Sequence, residues 1–503
     1  MGQNTNYPYQ YGQKGPSAPG LNIPAGSRTG KNVVDMPSSG YLEMVPKWEL
    51  IEDLMGGTLA MRSAGKKWLP PESRENAVNY EARLNRSYLY GAFKDTIQKL
   101  SSKPFSKPVA ISGSLQDPLD MIVSDADLRG RDLTQFARMV FEDGLKYGMA
   151  HVLVDYPNTG GVLSRGAERS QGIYPYFCHI RPTDLLAWKT EKQEDGSEVL
   201  TQIRFRERRT EYAGDFGEAS VDYIRVIEPN YWQLWKKPHN EKNYVMVEDG
   251  QHSFPGVPMA TFYTTRRDFL VADPPLEDLA WMNLAHWQSL SDQRNILRFA
   301  RVGILFASGL SEEEIEGGVA IGPSQLIAST NPDAKMNYVE HSGKAIGAGE
   351  DDLKRLEERM EVLGLQPLVQ STGNATATAR AMDEARTHSN IQAWIRGLEN
   401  TLEEAFKLAG QWVGSQMPDD FAVDVFNDFG VSMSATDDIK ALITMKQGGM
   451  IQHQTFLEEV KRRGLLADEV DPQVEIDGIG EESANEIPEM TMEGSADQDD
   501  DED

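Results

Sequence analysis

Few stretches of this sequence carry residue types that, at the right spacing, would do chemistry. Gly26-Ser27-Arg28-Thr29-Gly30-Lys31-Asn32 comes nearest to a phosphate-cradling loop. Such a loop needs spaced glycines for backbone approach, then Lys followed by Ser or Thr for phosphate and magnesium. Here the glycines are too close, Asn32 follows the lysine and no strand precedes, so the segment reads as part of a flexible arm. Asp125, Asp127 and Gly130 open like a calcium loop, but Arg129 stands at a ligand position and Phe136 stands where a bidentate Glu is required. They read as a turn before a helix.

Cys178 is the single cysteine, which excludes an internal disulfide and any multi-cysteine zinc or iron–sulfur site. A reducing cytoplasm fits that usage. The eight histidines are scattered, and His179, beside Cys178, has no further ligand near it in sequence. Glu277-Asp278 and Glu357-Glu358 pair carboxylates, but acids are plentiful and neither pair stands out as a general acid and base. There is no nucleophile elbow and no dinucleotide fingerprint. The expectation is a protein that is not an enzyme, with no catalytic residue, no cofactor and no metal site.

Binding chemistry leaves one basic candidate. Asp437 to Leu466 reads as two short helices around Gly448-Gly449, ending in Lys461, Arg462 and Arg463. A DNA-reading helix presents its N-terminal residues to the bases. These three charges instead complement the C-terminal dipole of their own helix before Gly464.

The elements that would position any site follow from periodicity. Residues 1–38 are rich in Gly, Pro, Asn, Gln and Tyr without a period and read as an arm. Residues 41–148 are helical: Trp48, Ile51 and Met55 share a face, Tyr90, Phe93, Ile97 and Leu100 share another, and a third helix spans Leu133 to Tyr147. HVLVDYPNTGG, from His151, reads as a buried strand ended by a turn, and Tyr174 to Thr264 as strand-rich, with β-branched and aromatic runs between turns.

Helix returns at Leu276 to Arg301, whose apolar residues make two stripes. Leu276, Ala280, Leu284 and Trp287 form one, Leu279, Met282, Leu290 and Leu297 the other, so neighbours on two sides are expected. Those neighbours are either the chain's own core or another subunit. Strand-like pieces (RVGILFASG, SQLIAST, MNYVEH) lead to a second helix, started by Glu350, Asp351 and Asp352, striped by Leu353, Leu356, Met360 and Leu363, and stopped by Gly364. After Pro367 and the small, polar QSTGNATATA comes a long helix with Ile391, Trp394, Ile395, Leu398, Leu402, Ala405, Phe406, Ala409, Trp412 and Val413 at the helical interval.

The whole predicts an α+β protein, mainly helical. Its 503 residues allow several domain-sized cores, and no apolar run reaches the roughly 20 residues of a membrane-spanning helix. No secretory signal opens the chain. The net charge is −28, half of it in residues 471–503, an acidic tail expected to stay unfolded. An acidic balance argues against tight, sequence-independent DNA binding, which depends on basic faces.

Four colinear blocks then resemble a known family. WELIEDLMGGTLAMRSAGKKWLPP with NYEARLNRSYLYGAFKDTIQKLSSKPF, LTQFARMVFEDGLKYGMAHVLVDYP, PPLEDLAWMNLAHWQSLSDQRNIL and ATARAMDEARTHSNIQAWIRGLENTLEEAF are similar to a phage-encoded portal family once catalogued only as a domain of unknown function. The likeness spans about Tyr41 to Ile479, with no single diagnostic motif.

That resemblance implies a head-to-tail connector: a ring, usually of twelve copies, built from wing, stem, clip and crown. Mapped here, the wing takes 39–275 (helical 41–148, strand-rich 149–264). The stem takes 276–301 and 350–365, and the clip takes 302–349. A tunnel loop falls at 366–380, a long helix at 381–413 and the crown at 414–470.

The loop matches the narrowest part of such channels, so Gln370, Ser371, Thr372, Gly373, Asn374 and Thr376 are expected to line it. Small and uncharged, they can approach a duplex without ion pairs that would stall it. The implied partners are double-stranded DNA, the terminase packaging motor, a head-tail adaptor and the major capsid protein. The implied location is the portal vertex of the virion, with assembly in the host cytoplasm. The alternative is a capsid-associated scaffold protein without a DNA channel.

Overall fold

The computed structural model describes residues 33–157, 167, 170–238, 241, 243–302, 304–309, 331–339, 344–365, 377–427, 442–462, 466, 470 and 473–476. Two compact units, Met1–Asn427 and Asp428–Asp503, are considered separately. The fold is α+β with several antiparallel sheets, and helix predominates over strand.

The first unit is organised on β2 (Met149–Asp155), the central strand of an antiparallel sheet of order β3-β2-β9, with β3 at Tyr176–Ile180 and β9 at Met259–Tyr263. Its apolar run is buried on both faces, which is why it reads as continuous and not alternating. β3 shows what each face holds. Tyr176, Cys178 and Ile180 enter a core with Leu185, Phe205 and Ile227 of a second sheet. Phe177 and His179 point the other way, where Phe177 meets Phe136 at 5.7 Å and Phe406 at 5.2 Å between ring centroids.

Those partners come from α5 (Leu133–Tyr147) and α8 (Ala377–Val413). Asp132 caps α5 by accepting from Gln135 N at 2.7 Å, and the helix ends at Gly148, whose φ of 89° suits glycine. A Cβ on Gly148 would also stand 3.1 Å from the Cβ of Ala272, so the turn into β2 packs closely on residues 272–273. In α8, Ile391, Ile395, Leu398, Leu402, Phe406 and Ala409 are fully buried, the stripe expected from their spacing. Trp394 and Trp412 donate through Nε1 to the carbonyls of Thr264 and Val154, both at 3.1 Å. Each half-buried indole thereby has its polar atom satisfied. The helix begins at Ala377, not at 381, because Ala377, Thr378, Ala379 and Arg380 extend it backward.

The second sheet has order β4-β5-β6-β7-β8, with β4 at Leu185–Lys192, β5 at Glu198–Ala213, β6 at Gly217–Glu228, β7 at Tyr231–Lys236 and β8 at Val245–Gln251. It is a meander, each strand pairing antiparallel with the next in sequence. β5 and β6 outrun their neighbours as a two-stranded ribbon whose tip exposes Tyr212 and Phe216. Glu207 is buried in β5 and held by Arg209 at 2.7 Å and Arg225 at 3.1 Å, so the charge is compensated.

α1 (Ser39–Ala64) breaks at Gly57, where φ is 72° and ψ is −158°. α2 (Ala77–Arg86) and α3 (Ala92–Ser102) follow, then a short strand β1 (Ala110–Ser112) and a single-turn α4 (Met121–Ser124). β10 (Arg266–Asp268) and β11 (Val271–Ala272) form a small hairpin before the next helix. β1 pairs antiparallel with β14 (Ala422–Asp424), which ties residues 414–427 into the first unit. In the second unit, 442–447 are helical, Gly448 and Gly449 turn, and α9 spans His453–Arg462. The side chains of Lys461 and Arg462, and Arg463 as a whole, lie outside the described residues.

Candidate functional site

α6 (Glu277–Val302) and α7 (Lys344–Leu365) form an antiparallel pair joined through β12 (Ile304–Ser308) and β13 (Lys335–Val339). The contacts step in opposite directions along the two helices. Leu279 lies against Gly364, His286 Nε2 is 3.1 Å from Glu357 Oε1, Ser289 Oγ donates to Asp352 Oδ2 at 3.1 Å, and Gln293 Nε2 donates to Ile346 O at 2.8 Å. The same register continues into the strands, with Ile304 opposite Val339 and Ser308 opposite Lys335. The helix pair, with the strand pair that lies between its helices in sequence, is called the arm, and α6 alone is about 39 Å long at 1.5 Å per residue.

Two expectations for α7 are corrected. The helix starts at Lys344, so Glu350, Asp351 and Asp352 lie inside it and not at its positive end. Packing against α6 prolongs it: Gly349 sits so close to Gln293 that a side chain would collide with it. Gly364 does not stop the helix, which runs on to Leu365. A Cβ there would lie 2.6 Å from Thr96 Oγ1 and 2.9 Å from Leu279 Cδ2. This glycine lets three helices meet, a role that a C-terminal glycine imitates in sequence.

The base of the arm is clamped to the helical layer. Asn283 donates to Tyr90 O at 2.8 Å and accepts from Phe93 N at 3.1 Å, holding the start of α3. Arg83 of α2 pairs with Glu75 at 2.8 Å, both buried, and reaches Ser291 and Asp292 of α6 at 3.4 Å. That guanidinium holds the Glu75 carboxyl below its ordinary range. Lys47 of α1 bridges Asp273 and Glu277 at 2.9 and 2.7 Å. Of the two expected stripes on α6, Ala280, Leu284 and Trp287 are buried, as is Leu279, but Met282, Leu290 and Leu297 are only half-buried.

The arm thus keeps apolar surface that its own chain does not cover. Trp281 is 47% exposed, Phe306 55%, Val362 50% and Leu363 43%. Clustered exposed apolar side chains mark contact surfaces more often than solitary ones do.

The remaining candidates resolve simply. Asp125 Oδ1 accepts from Arg129 N and Gly130 N at 3.0 Å, and Asp127 Oδ2 accepts from Arg131 Nε at 2.6 Å, so the calcium-like carboxylates are spent on their own turn. Cys178 and His179 project to opposite faces of β3. Burial pushes the Cys178 thiol up, and burial lowers His179 to about 4 although its Nε2 lies 3.3 Å from Asp143 Oδ2. Glu277 is engaged by Lys47 and Glu357 by His286. Among the described residues no group of His, Cys, Asp or Glu is arranged to hold a metal ion, and no helix is long and apolar enough to cross a membrane. The loop residues Gln370, Ser371, Thr372, Gly373, Asn374 and Thr376, and Gly26 to Asn32, lie outside the described residues.

A family model described as a domain of unknown function (DUF4055) matches residues 275–413, from the foot of α6 to the end of α8. No curated protein matches the chain. Among solved structures, the chain is similar to one from the virion of a native gene transfer agent (GTA) particle, at 9% identity and a TM-score of 0.40, covering 72% of this chain and 88% of that one. It is similar also to one from the neck of an empty GTA particle computed with C6 symmetry, at 7% identity and a TM-score of 0.41, covering 73% and 89%. A third, from the neck of a native GTA particle computed with C12 symmetry, has 8% identity and a TM-score of 0.39, covering 79% and 97%.

Proposed function

We propose that this chain is the portal subunit of a tailed-phage particle, a ring-forming conduit for double-stranded DNA and not an enzyme. The observation that carries the reading is the α6–β12–β13–α7 arm. It is an antiparallel helix pair with a paired strand segment between its helices in sequence, clamped to the helical layer from Glu277 to Asp292 and leaving Trp281, Val362, Leu363 and Phe306 exposed. The four sequence blocks that resemble portals include both α6 and the start of α8. In this reading α6 and α7 form the stem, β12 and β13 belong to the clip, and the sheet domain with its helices is the wing.

Copies would close heterologously, one arm laying Trp281, Val362 and Leu363 against a different face of its neighbour, as ring assembly demands. Subunit contact would remove apolar surface from water at about 25 cal/mol per Å². The wall is acidic on balance and repels the phosphate backbone, so the duplex slides instead of binding. The energy for packaging would come from a separate ATPase docked at the clip, and contacts to DNA would involve shape and backbone with no reading of bases. Twelve copies, the adaptor, the capsid protein and the vertex location belong to the same proposal.

The channel role of the loop is tested by replacing Ser371, Thr372 and Asn374 together with Arg. Packaging of DNA should fall sharply while ring assembly is retained. Normal packaging by the triple variant would remove this loop from the channel.

A further inference from the structure

In an acidic protein of net charge −28, positive charge is gathered toward the C-terminal end of α6. Ser87, just after α2, is ringed by guanidinium groups. Arg62 Nε donates to its carbonyl at 2.9 Å, and a small cleft beside it is lined by Arg83, Arg86, Ser291, Arg294 and Asn295. The floor is built: Ser87 Oγ donates to Ser291 Oγ at 2.8 Å, both residues are buried, and Arg83 Nη1 reaches Ser291 Oγ. The nearby acids are committed, since Glu75 and Asp292 both pair with Arg83.

Among the described residues, no carboxylate lies within ion-pair distance of Arg86, Arg294, Arg298 or Arg301, all of them exposed. Partial burial, and then the neighbouring guanidinium of Arg298, holds Arg86 below its ordinary value, so like charges are gathered here without a partner. The Arg294 guanidinium lies over the Tyr88 ring, 4.9 Å from its centroid. A row continues from the cleft along α6, with Arg298 about 6 Å and Arg301 about 10.5 Å beyond Arg294 at 1.5 Å per residue.

We infer that Arg86, Arg294, Arg298 and Arg301, with Asn295 and the serine floor, form a site for the phosphodiester backbone of double-stranded DNA. Arg86 and Arg294 present forked donors beside the cleft, and guanidinium is the group that binds phosphate through paired hydrogen bonds. A row extending past the cleft suits a chain of phosphates better than a single free one. The inference rests on the proposed conduit role and deepens it. On an otherwise repelling wall, a basic rung in each copy would touch the passing backbone weakly and without reading sequence.

The test uses the full-length protein, with Arg86, Arg294 and Arg298 replaced together by Gln, and Lys192→Gln as a remote control. Affinity for a labelled duplex of random sequence is measured over a salt series, and each sample is imaged for rings. The wild type and K192Q should bind alike, whereas the triple variant should bind at least about tenfold more weakly at low salt. Its salt slope should be smaller by roughly 2–3, from about 0.9 per lost phosphate contact.

Equal affinity and slope in the triple variant would overturn the inference. So would a triple variant that no longer forms rings made by the wild type, because the arginines would then face acids of a neighbouring copy. Inorganic phosphate displacing the duplex at equal concentration of phosphate groups would assign the cleft to the free ion and overturn it too. Arginine-dependent DNA binding by a chain that never forms rings would defeat the conduit reading while leaving this site standing.

Discussion

The sheet core around β2 and the arm of α6 and α7 use the same residue types to different degrees of completion. β2 is covered on both faces within one chain, by α5 and α8 on one side and by the second sheet on the other. α6 is covered by α7 and by α1, α2 and α3, yet Met282, Leu290 and Leu297 remain half-buried and Trp281 is 47% exposed. The first region is finished by folding. The second is finished, in the proposed reading, by assembly.

The contrast is broken most directly at its stable end. Phe406→Ala empties a fully buried site between Phe177 and Phe421 and should cost about 3–5 kcal/mol, seen as a lower denaturant midpoint. Any loss below about 1 kcal/mol would mean that the α8 packing is not what holds the core.

At the joint between the regions, Arg83→Ala should cost about 3 kcal/mol by stranding the buried Glu75 carboxylate. The depressed Glu75 carboxyl stabilises the fold above the ordinary glutamate range, and this support is lost as pH falls through its folded value. Urea melts of wild type and variant should therefore converge in acid.

A smaller effect belongs to the core histidines. Burial lowers His151 to about 3 and His179 to about 4, against 6.5 for each when unfolded. The unfolded chain then binds more protons between those values, so stability is complete above about pH 6.5 and falls as pH drops toward 4. Each histidine should remove about 2 kcal/mol between pH 7 and 5, and His179→Gln should flatten that slope by its share.

The smallest change in stability should come from the arm. Trp281→Ser with Val362→Asp alters exposed positions and should shift the unfolding free energy by less than about 1 kcal/mol. The same pair should abolish ring formation, read by native mass. Rings that survive would move the subunit contact elsewhere.

Much of this architecture is legible in sequence because local physics decides it. α5 is fixed at both ends by Asp132 and Gly148, and the α8 stripe from Ile391 to Ala409 is the one that is buried. The strand-rich stretch is likewise announced by its β-branched and aromatic runs. What escapes is nonlocal. The pairing of Ala110–Ser112 with Ala422–Asp424 joins segments too short to carry a period, and the role of Gly364 depends on Thr96 and Leu279 from two other helices. The arginine cleft is invisible for the same reason, since Arg86 and Arg294 meet only when α2 packs on α6. The expected channel loop rests on resemblance alone.

The account turns on whether the arm completes itself in a ring. Electron microscopy of the purified full-length protein, with native mass taken on the same sample, tests this most directly. The account predicts closed rings with a central hole wide enough for duplex DNA and a mass that is a whole multiple of the 56.1 kDa chain. A compact monomer or dimer that persists at high concentration, with no central hole, would contradict it.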